Sequence, residues 1–311
     1  MIDEMDRKII KLLRQDGRAS YTWLAHELGI EEITVTNRIR KLLDDEIIAI
    51  RALSNPVKMG IKVMACIGLD VEIPMLSSVC NKLVDIPNVH LVLTAFGKFD
   101  VLLSAEYRSI DMLYRLVRET VPGIEGVKSI ETFLICDNKN KFKLSPNVDL
   151  SSDEAVKLDE IDENLINELR KDGRARFNIL AKKYGVSSAT VARRIRALEK
   201  NEVIRITLLV NHLKLRNYVL AYLGLQTDPK KTVEISDLLY SYPQVNWVIS
   251  LMNGYSIMTI VVLPDLQSLW NFVTHKISSI DGVQNVETFI QAEFKKGNYM
   301  EFDLDDVLGD L

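Results

Sequence analysis

Residues 6–51, DRKIIKLLRQDGRASYTWLAHELGIEEITVTNRIRKLLDDEIIAIR, recur as residues 162–207, DENLINELRKDGRARFNILAKKYGVSSATVARRIRALEKNEVIRIT, at a constant offset of 156 with 20 identities in 46 positions. Both copies keep Asp-Gly-Arg-Ala, Leu-Ala, a glycine and Arg-Ile-Arg in register. A repeat of this length is a structural unit written twice. In the first copy Ile9, Ile10, Leu12 and Leu13 fall at helical spacing and stop near Asp16-Gly17. A short second helix follows, with Thr22 as the expected N-cap and Gly29 supplying a tight turn. A third helix begins near Glu31, with Ile33, Val35, Ile39 and Leu42 expected inward and Thr34, Thr36, Asn37, Arg38, Arg40 and Lys41 facing elsewhere. In the second copy Ser187 is the expected cap. Ala189, Val191, Ile195 and Leu198 point inward there, and Ser188, Thr190, Arg193, Arg194 and Arg196 outward. Three helices around a glycine-containing turn make a helix-turn-helix.

The offset continues without gaps: Gly68-Leu69 matches Gly224-Leu225, Pro87 matches Pro243, and Glu131-Thr132-Phe133 matches Glu287-Thr288-Phe289. From Lys62 the periodicity changes to strand, helix, strand, a Gly97-Lys98 turn, strand, helix, strand, and the second copy repeats that order around an Asn253-Gly254 turn. This β-α-β-β-α-β order predicts a ferredoxin-like sheet with two helices on one face. Its other face is apolar and needs a partner, so sheet modules are expected to pair. The fold class is therefore α+β, in two repeats of a helix-turn-helix module and a ferredoxin-like module. The expected layout is helix-turn-helix at 1–52 and 159–208, sheet modules at 53–137 and 209–300, a polar linker at 138–158 and an acidic tail at 301–311.

At 311 residues, 47% apolar and 26% charged, the chain has the composition of an ordinary folded protein. No apolar run approaches the roughly 18–20 residues of a membrane span, and the first residues are acidic rather than basic and apolar, so a cytoplasmic protein without membrane contact is expected. Cys66, Cys80 and Cys136 sit within apolar periodicity and read as buried small hydrophobes; His26, His90, His212 and His275 are scattered. No metal, cofactor or catalytic residue is expected. Trp23, Trp247 and Trp270 read as core or interface. The net charge of −4 shows no whole-chain attraction for nucleic acid, but the modules differ: residues 1–50 carry net −2 and residues 157–206 net +4.

A helix in the major groove of double-stranded DNA needs short hydroxyl or amide side chains near its N-terminus for base edges and arginines farther along for guanine or phosphate. Thr34, Thr36, Asn37, Arg38 and Arg40 meet this requirement in the first copy, and Ser188, Thr190, Arg193, Arg194 and Arg196 in the second. Glu31 and Glu32 stand where the first helix would approach phosphates, against Ser187 and Ser188 in the second. The second module is thus expected to be the stronger DNA binder, with Arg193, Arg194 and Arg196 carrying its salt dependence.

The helix-turn-helix with Asp-Gly-Arg and Arg-Ile-Arg-x-Leu, followed by a sheet module with a Gly-x-Phe-Asp hairpin, resembles the leucine-responsive and asparagine-regulatory (Lrp/AsnC) transcription regulators. The resemblance covers nearly the whole chain, twice, whereas family members usually carry one copy. It implies a DNA-binding regulator, not an enzyme, that forms homo-oligomers through its sheets and binds a small-molecule effector, an amino acid or similar metabolite, between sensing modules. The matching effector positions are Gly97, Phe99 and Asp100 of the hairpin, with Thr132 on the last strand. Repeat two has Asn253, Gly254, Tyr255 and Ser256 at the aligned positions, without the aspartate, so repeat one is expected to keep a conventional site and repeat two to bind something else or serve only as a structural partner. Two alternatives stand beside this reading. One is a siroheme-decarboxylase-like enzyme on the same scaffold, disfavoured because it would have no reason to keep Asp-Gly-Arg and arginine-rich helices; the other is a co-regulator with one degenerate DNA-binding module.

Overall fold

The computed structural model describes residues 2–140, 154–211, 214 and 218–297. The chain divides into two compact units, and each draws on both repeats: one contains residues 1–59 and 154–216, the other residues 60–153 and 217–298. His212, most of the expected linker and the acidic tail lie outside the described residues.

The first unit holds both helix-turn-helix modules. Helices α1 (Glu4–Gln15), α2 (Tyr21–Leu28) and α3 (Glu32–Asp44) lead into strand β1 (Ile48–Ser54). Helices α6 (Glu160–Lys171), α7 (Phe177–Tyr184) and α8 (Ser188–Lys200) lead likewise into β6 (Ile204–Val210). Helices α1 and α6 each open with a reciprocal capping box: Asp3 accepts from the Asp6 N–H at 2.9 Å, and Asp159 accepts from the Asp162 N–H at 2.9 Å. The cap of α2 is Ser20, not Thr22; the Trp23 N–H donates to its hydroxyl at 3.1 Å, so the helix begins two residues earlier than the apolar pattern suggests. Trp23 is exposed rather than core.

In α3 the buried positions are Val35, Ile39 and Leu42, and in α8 Val191, Ile195 and Leu198. Ile33, expected inward, is 60% exposed, and Ala189 is exposed as well. At about 100° per residue, a position two before Val35 lies roughly 200° around the helix and cannot share its face.

The strands β1 and β6 pair antiparallel with Arg51 opposite Thr207, its own equivalent at the repeat offset, so the two modules are related by a local twofold through that pair. The ribbon and the buried faces of both modules form one continuous core.

The second unit holds both sheet modules. The first runs β2 (Val63–Val71), α4 (Leu76–Val84), β3 (Val89–Phe96), β4 (Val101–Tyr107), α5 (Ile110–Arg115, continued as a π-helical turn over Leu116–Thr120) and β5 (Val127–Asn140). The second runs β7 (Val219–Thr227), α9 (Thr232–Ser241), β8 (Val245–Leu251), β9 (Ile257–Leu263), α10 (Leu266–Asn271, with its own π-helical turn over Phe272–Ile277) and β10 (Val283–Lys296). Each module has the ferredoxin-like strand order. The helices pack on one face of each sheet around separate apolar cores.

The sheets join edge to edge, β10 with β3 and β5 with β8, into a closed eight-stranded antiparallel barrel. Closure leaves no free sheet edge. The sheet-to-sheet pairing expected between chains is therefore made within one chain. Strand β5 reaches Asn140 because its end pairs with β8, so the expected linker begins inside a strand. Cys66 and Cys80 are buried, whereas Cys136 is exposed; burial pushes the Cys66 thiol up to about 12, which keeps it protonated and unreactive. Trp270, on the outer helix, is 64% exposed.

Candidate nucleic-acid interface and effector cleft

The helical wheel of α3 and α8 divides the expected DNA contacts into two sets. Asn37 and Arg40, with Arg193 and Arg196 in the second copy, lie opposite the buried stripe and are exposed. Among the described residues these three arginines make no ion pair. Ser188 is exposed at the first turn of α8. Thr190 is half-buried; its backbone N–H donates to Ser187 Oγ at 3.1 Å and its hydroxyl lies 2.9 Å from the same atom. Thr36 donates its hydroxyl back to the Glu32 carbonyl at 2.9 Å, and Thr34 is half-buried beside it. Glu32 accepts a 2.8 Å hydrogen bond from the Thr22 hydroxyl, so part of the acidic character at the start of α3 is tied to α2.

Arg38 and Arg194 turn the other way. Arg38 bonds Asp3 at 2.7 Å and Asp6 at 2.8 Å; Arg194 bonds Asp159 and Asp162, both at 2.8 Å. Each arginine thereby ties the third helix of its module to the capping box of the first. The Asp6 and Asp162 backbone N–H groups, then the arginines, hold the Asp3 and Asp159 carboxyls below the usual carboxylate range. The bonds to the aspartates raise both guanidinium groups in return. Arg38 and Arg194 sit about 60° from the buried stripe, and that angle is the sequence signal separating them from Arg40 and Arg196.

The Asp-Gly-Arg motif joins the two modules. Arg18 donates from Nε to the Gly173 carbonyl at 2.8 Å and from Nη2 to the Ala175 carbonyl at 3.2 Å. Arg174 returns the pattern to the Gly17 and Ala19 carbonyls at 2.9 and 2.8 Å. The guanidinium of Arg18 stacks on Phe177 and that of Arg174 on Tyr21, at 4.5 and 4.8 Å from the ring centroids. Gly17 and Gly173 donate their N–H groups to the Ile206 and Ile50 carbonyls of the opposite strand. A β-carbon on Gly173 would meet the Ile50 and Arg51 backbone at 2.9 Å. The motif is thus a module-pairing device, and any protein on this scaffold has reason to keep it. Its retention carries no weight against an enzyme.

In the barrel unit the expected effector residues fall in two places. The Gly97 hairpin packs on the last strand of the other module, where a β-carbon on Gly97 would stand 2.9 Å from the Thr288 carbonyl. Thr132 faces the hairpin of the second module: Asn253 donates to the Thr132 carbonyl at 2.7 Å and accepts from the Leu134 N–H at 3.3 Å. Gly97 and Thr132 therefore belong to two equivalent composite sites rather than one.

Phe99 is buried in an aromatic cluster with Phe133, Tyr255 and Phe289, with centroids 5.2 to 6.0 Å apart. It rests on Gly68, as Tyr255 rests on Gly224, and a β-carbon on Gly68 would approach the ring to 2.6 Å. Asp100 Oδ2 accepts from the Val71 N–H at 2.9 Å. In the second module Ser256 Oγ accepts from the equivalent Thr227 N–H at 3.2 Å. The carboxylate is a turn-holding acceptor, and its replacement by serine preserves that role.

Around Thr132 lies a cleft of about 840 Å³. The outer helix contributes Ile110, Leu113, Tyr114 and Arg118, the last strand Lys128, Thr132 and Leu134, and the opposite hairpin Met252 and Asn253. Thr132 Oγ1 is buried there without a hydrogen-bond partner. Sequence reasoning reached Thr132 and placed Asn253 at the other hairpin, apart from it, because the cleft is assembled across the two repeats; it missed Arg118 and Lys128, which stand on the outer helix and last strand of the same module as Thr132.

Among the described residues no helix is long and apolar enough to cross a membrane, and no cluster of metal-ligating side chains occurs. Family models describe residues 2–43 and 158–199 as an AsnC-type helix-turn-helix domain and residues 64–143 and 220–299 as an Lrp/AsnC ligand binding domain. An uncharacterised HTH-type transcriptional regulator of Pyrococcus furiosus is 36% identical over 140 residues, which are 45% of this chain and 95% of that protein. The HTH-type transcriptional regulator Ptr1 of Methanocaldococcus jannaschii is 29% identical over 136 residues, 43% of this chain and 92% of its own. Each of these relatives matches less than half of the present chain. The crystal structure of the siroheme decarboxylase NirDL covers 98% of this chain and 96% of its own with a TM-score of 0.65; at 16% identity it shares the fold. With both domain models matched twice along its length, the chain belongs to the Lrp/AsnC family of transcription regulators, as a tandem of two complete units.

Proposed function

We propose that the chain is a built-in dimer that binds double-stranded DNA through its paired helix-turn-helix modules, α8 making the stronger contact, and that a small metabolite in the barrel unit regulates this binding. The observation carrying the proposal is the β1–β6 pairing, which relates two recognition helices by a local twofold within one chain. On this reading Arg193 and Arg196 supply phosphate or guanine contacts and Ser188 and Thr190 reach base edges. Asn37, Arg40, Thr34 and Thr36 do the same more weakly in α3. Arg38 and Arg194 act by holding the modules' shape. The cleft at Thr132, with its unpartnered hydroxyl, is the effector site.

The test is binding to DNA from the protein's own upstream region at two salt concentrations with competitor DNA present. Arg196→Ala is expected to lower affinity and reduce the salt slope by about one. Specific, salt-sensitive binding supports the regulator; no binding at low salt ends the proposal.

The whole-chain likeness to a siroheme decarboxylase gives the enzyme reading its one observation, and that observation is of fold alone. Among the described residues no histidine lines the cleft at Thr132. Incubation with an iron tetrapyrrole separates the readings: the regulator leaves the pigment's absorbance unchanged.

A further inference from the structure

We infer that the chain holds one effector site rather than two, and that this site selects a carboxylate with an apolar body and no ammonium group. The inference rests on the small-molecule reading proposed above and adds stoichiometry and ligand class. Duplication gives the cleft at Thr132 an equivalent place in the second repeat, each bounded by the outer helix and last strand of one module and the hairpin of the other. Their apolar walls match: Ile110, Tyr114 and Met252 in the first correspond to Leu266, Trp270 and Phe96 in the second, all of them exposed.

Their polar groups do not match. Arg118 and Lys128 are the charged side chains lining the first cleft, beside the unpartnered Thr132 hydroxyl. Arg118 is exposed and makes no ion pair among the described residues. Lys128 meets Asp70 at 3.2 Å, with both side chains about half-exposed, a pairing that contributes little and leaves the ammonium free to turn. At the equivalent positions of the second cleft stand Thr274 and Gln284. The Thr274 hydroxyl is spent on the Trp270 carbonyl at 2.7 Å, and the neighbouring Lys276 lies over the Tyr242 ring, 4.3 Å from its centroid.

A guanidinium and a hydroxyl beside an apolar wall suit a carboxylate, whose lost hydration they replace with charge-assisted hydrogen bonds. An ammonium group entering the same cleft would stand beside two cations; among the described residues no carboxylate lines the cleft, and the neighbouring Asp70 is paired with Lys128. The first cleft thus offers an anion a counter-charge, whereas the second place has neither cation at the equivalent positions and its hairpin cation, Lys98, is paired with Glu131 at 2.8 Å.

The experiment is calorimetric titration of the full chain with phenylpropanoate, L-phenylalanine and phenylethylamine, which share a ring and differ in their charged groups. Phenylpropanoate is expected to bind at one per chain, on the order of tenfold tighter than L-phenylalanine, with no binding of the amine. The double variant Arg118→Thr/Lys128→Gln is expected to weaken phenylpropanoate by a similar factor at unchanged Tm. Thr274→Arg/Gln284→Lys is expected to raise the stoichiometry to two. Two molecules per unaltered chain, or undiminished binding by the Arg118 and Lys128 variant, would overturn the inference. L-phenylalanine binding as tightly as phenylpropanoate would sink the ligand class and leave the small-molecule reading standing. Failure of all three compounds at millimolar concentration would count against both.

Discussion

The hairpin at Phe99-Asp100 and its counterpart at Tyr255-Ser256 differ in sequence and act alike, whereas helices α3 and α8 share their Arg-Ile-Arg and present different faces. In the hairpins an aspartate and a serine accept from equivalent strand N–H groups, because the turn needs one acceptor oxygen and either side chain supplies it. In the helices the shared arginines at 38 and 194 are held by capping-box aspartates, and the differences lie at the exposed positions: Glu31, Ile33 and Asn37 against Ser187, Ala189 and Arg193. A difference between the repeats therefore counts only where it reaches an exposed position: the hairpin exchange is absorbed inside the turn, whereas the exchanges on α3 and α8 change the surface.

The largest effect should come from breaking what the halves share. Gly173→Val drives a side chain into the Ile50 and Arg51 backbone, where nothing flexible can give way, and is expected to cost about 3 kcal/mol or more in urea unfolding. Gly185→Ala is the control. Unlike Gly173, Gly185 has a positive φ, at 66°, but open space around it, so its cost should stay near 1 kcal/mol. Equal effects at the two glycines would refute close module pairing as the reason for the Asp-Gly-Arg glycine.

Next, Arg194→Ala and Arg196→Ala should separate cleanly. The first lowers Tm and leaves the salt slope of DNA binding intact; the second leaves Tm intact and lowers the slope by about one. The reverse outcome would return Arg194 to the DNA-contacting set. A smaller gain, a few-fold in affinity, is expected for Glu31→Ser, which gives α3 the N-cap residue of α8 and removes a charge facing phosphate; no gain would mean that this carboxylate does not limit the first module.

Exchanging the hairpin acceptors, Asp100→Ser and Ser256→Asp, should change stability by less than about 0.5 kcal/mol, whereas Asp100→Ala, which leaves the Val71 N–H without its acceptor, costs about 1 kcal/mol. The smallest effect is on acid stability. The folded-state values of Asp3 and Asp159 are depressed, so their contribution is complete above the ordinary value of 3.8 and is lost as pH falls below it through the folded values. A variant with both Arg38→Ala and Arg194→Ala should therefore show a shallower acid-unfolding transition than the parent protein.

Much of the fold was legible in the residues. The offset of 156, the helix-to-strand change at Lys62 and the βαββαβ order all follow from local periodicity, which short-range sterics and burial impose on any chain. The capping role of Ser187 was readable for the same reason. Ile33 and Arg194 were misplaced by treating a run of outward residues as uniform; counting at 100° per residue separates them. The cleft proposed as the effector site was half legible: Thr132 lies in a recognisable strand, but Asn253, which pins the opposite hairpin to it, is 121 residues away.

By itself the sequence determined two helix-turn-helix modules, two ferredoxin-like modules and the unequal charge of the halves, since each depends on neighbours along the chain. Only the tertiary structure decided that both kinds of module pair within one chain, that Arg18 and Arg174 serve that pairing, and that Gly97 and Thr132 belong to different clefts. Pairing joins groups more than 100 residues apart through backbone carbonyls and strand edges, which every residue possesses and no side-chain pattern records.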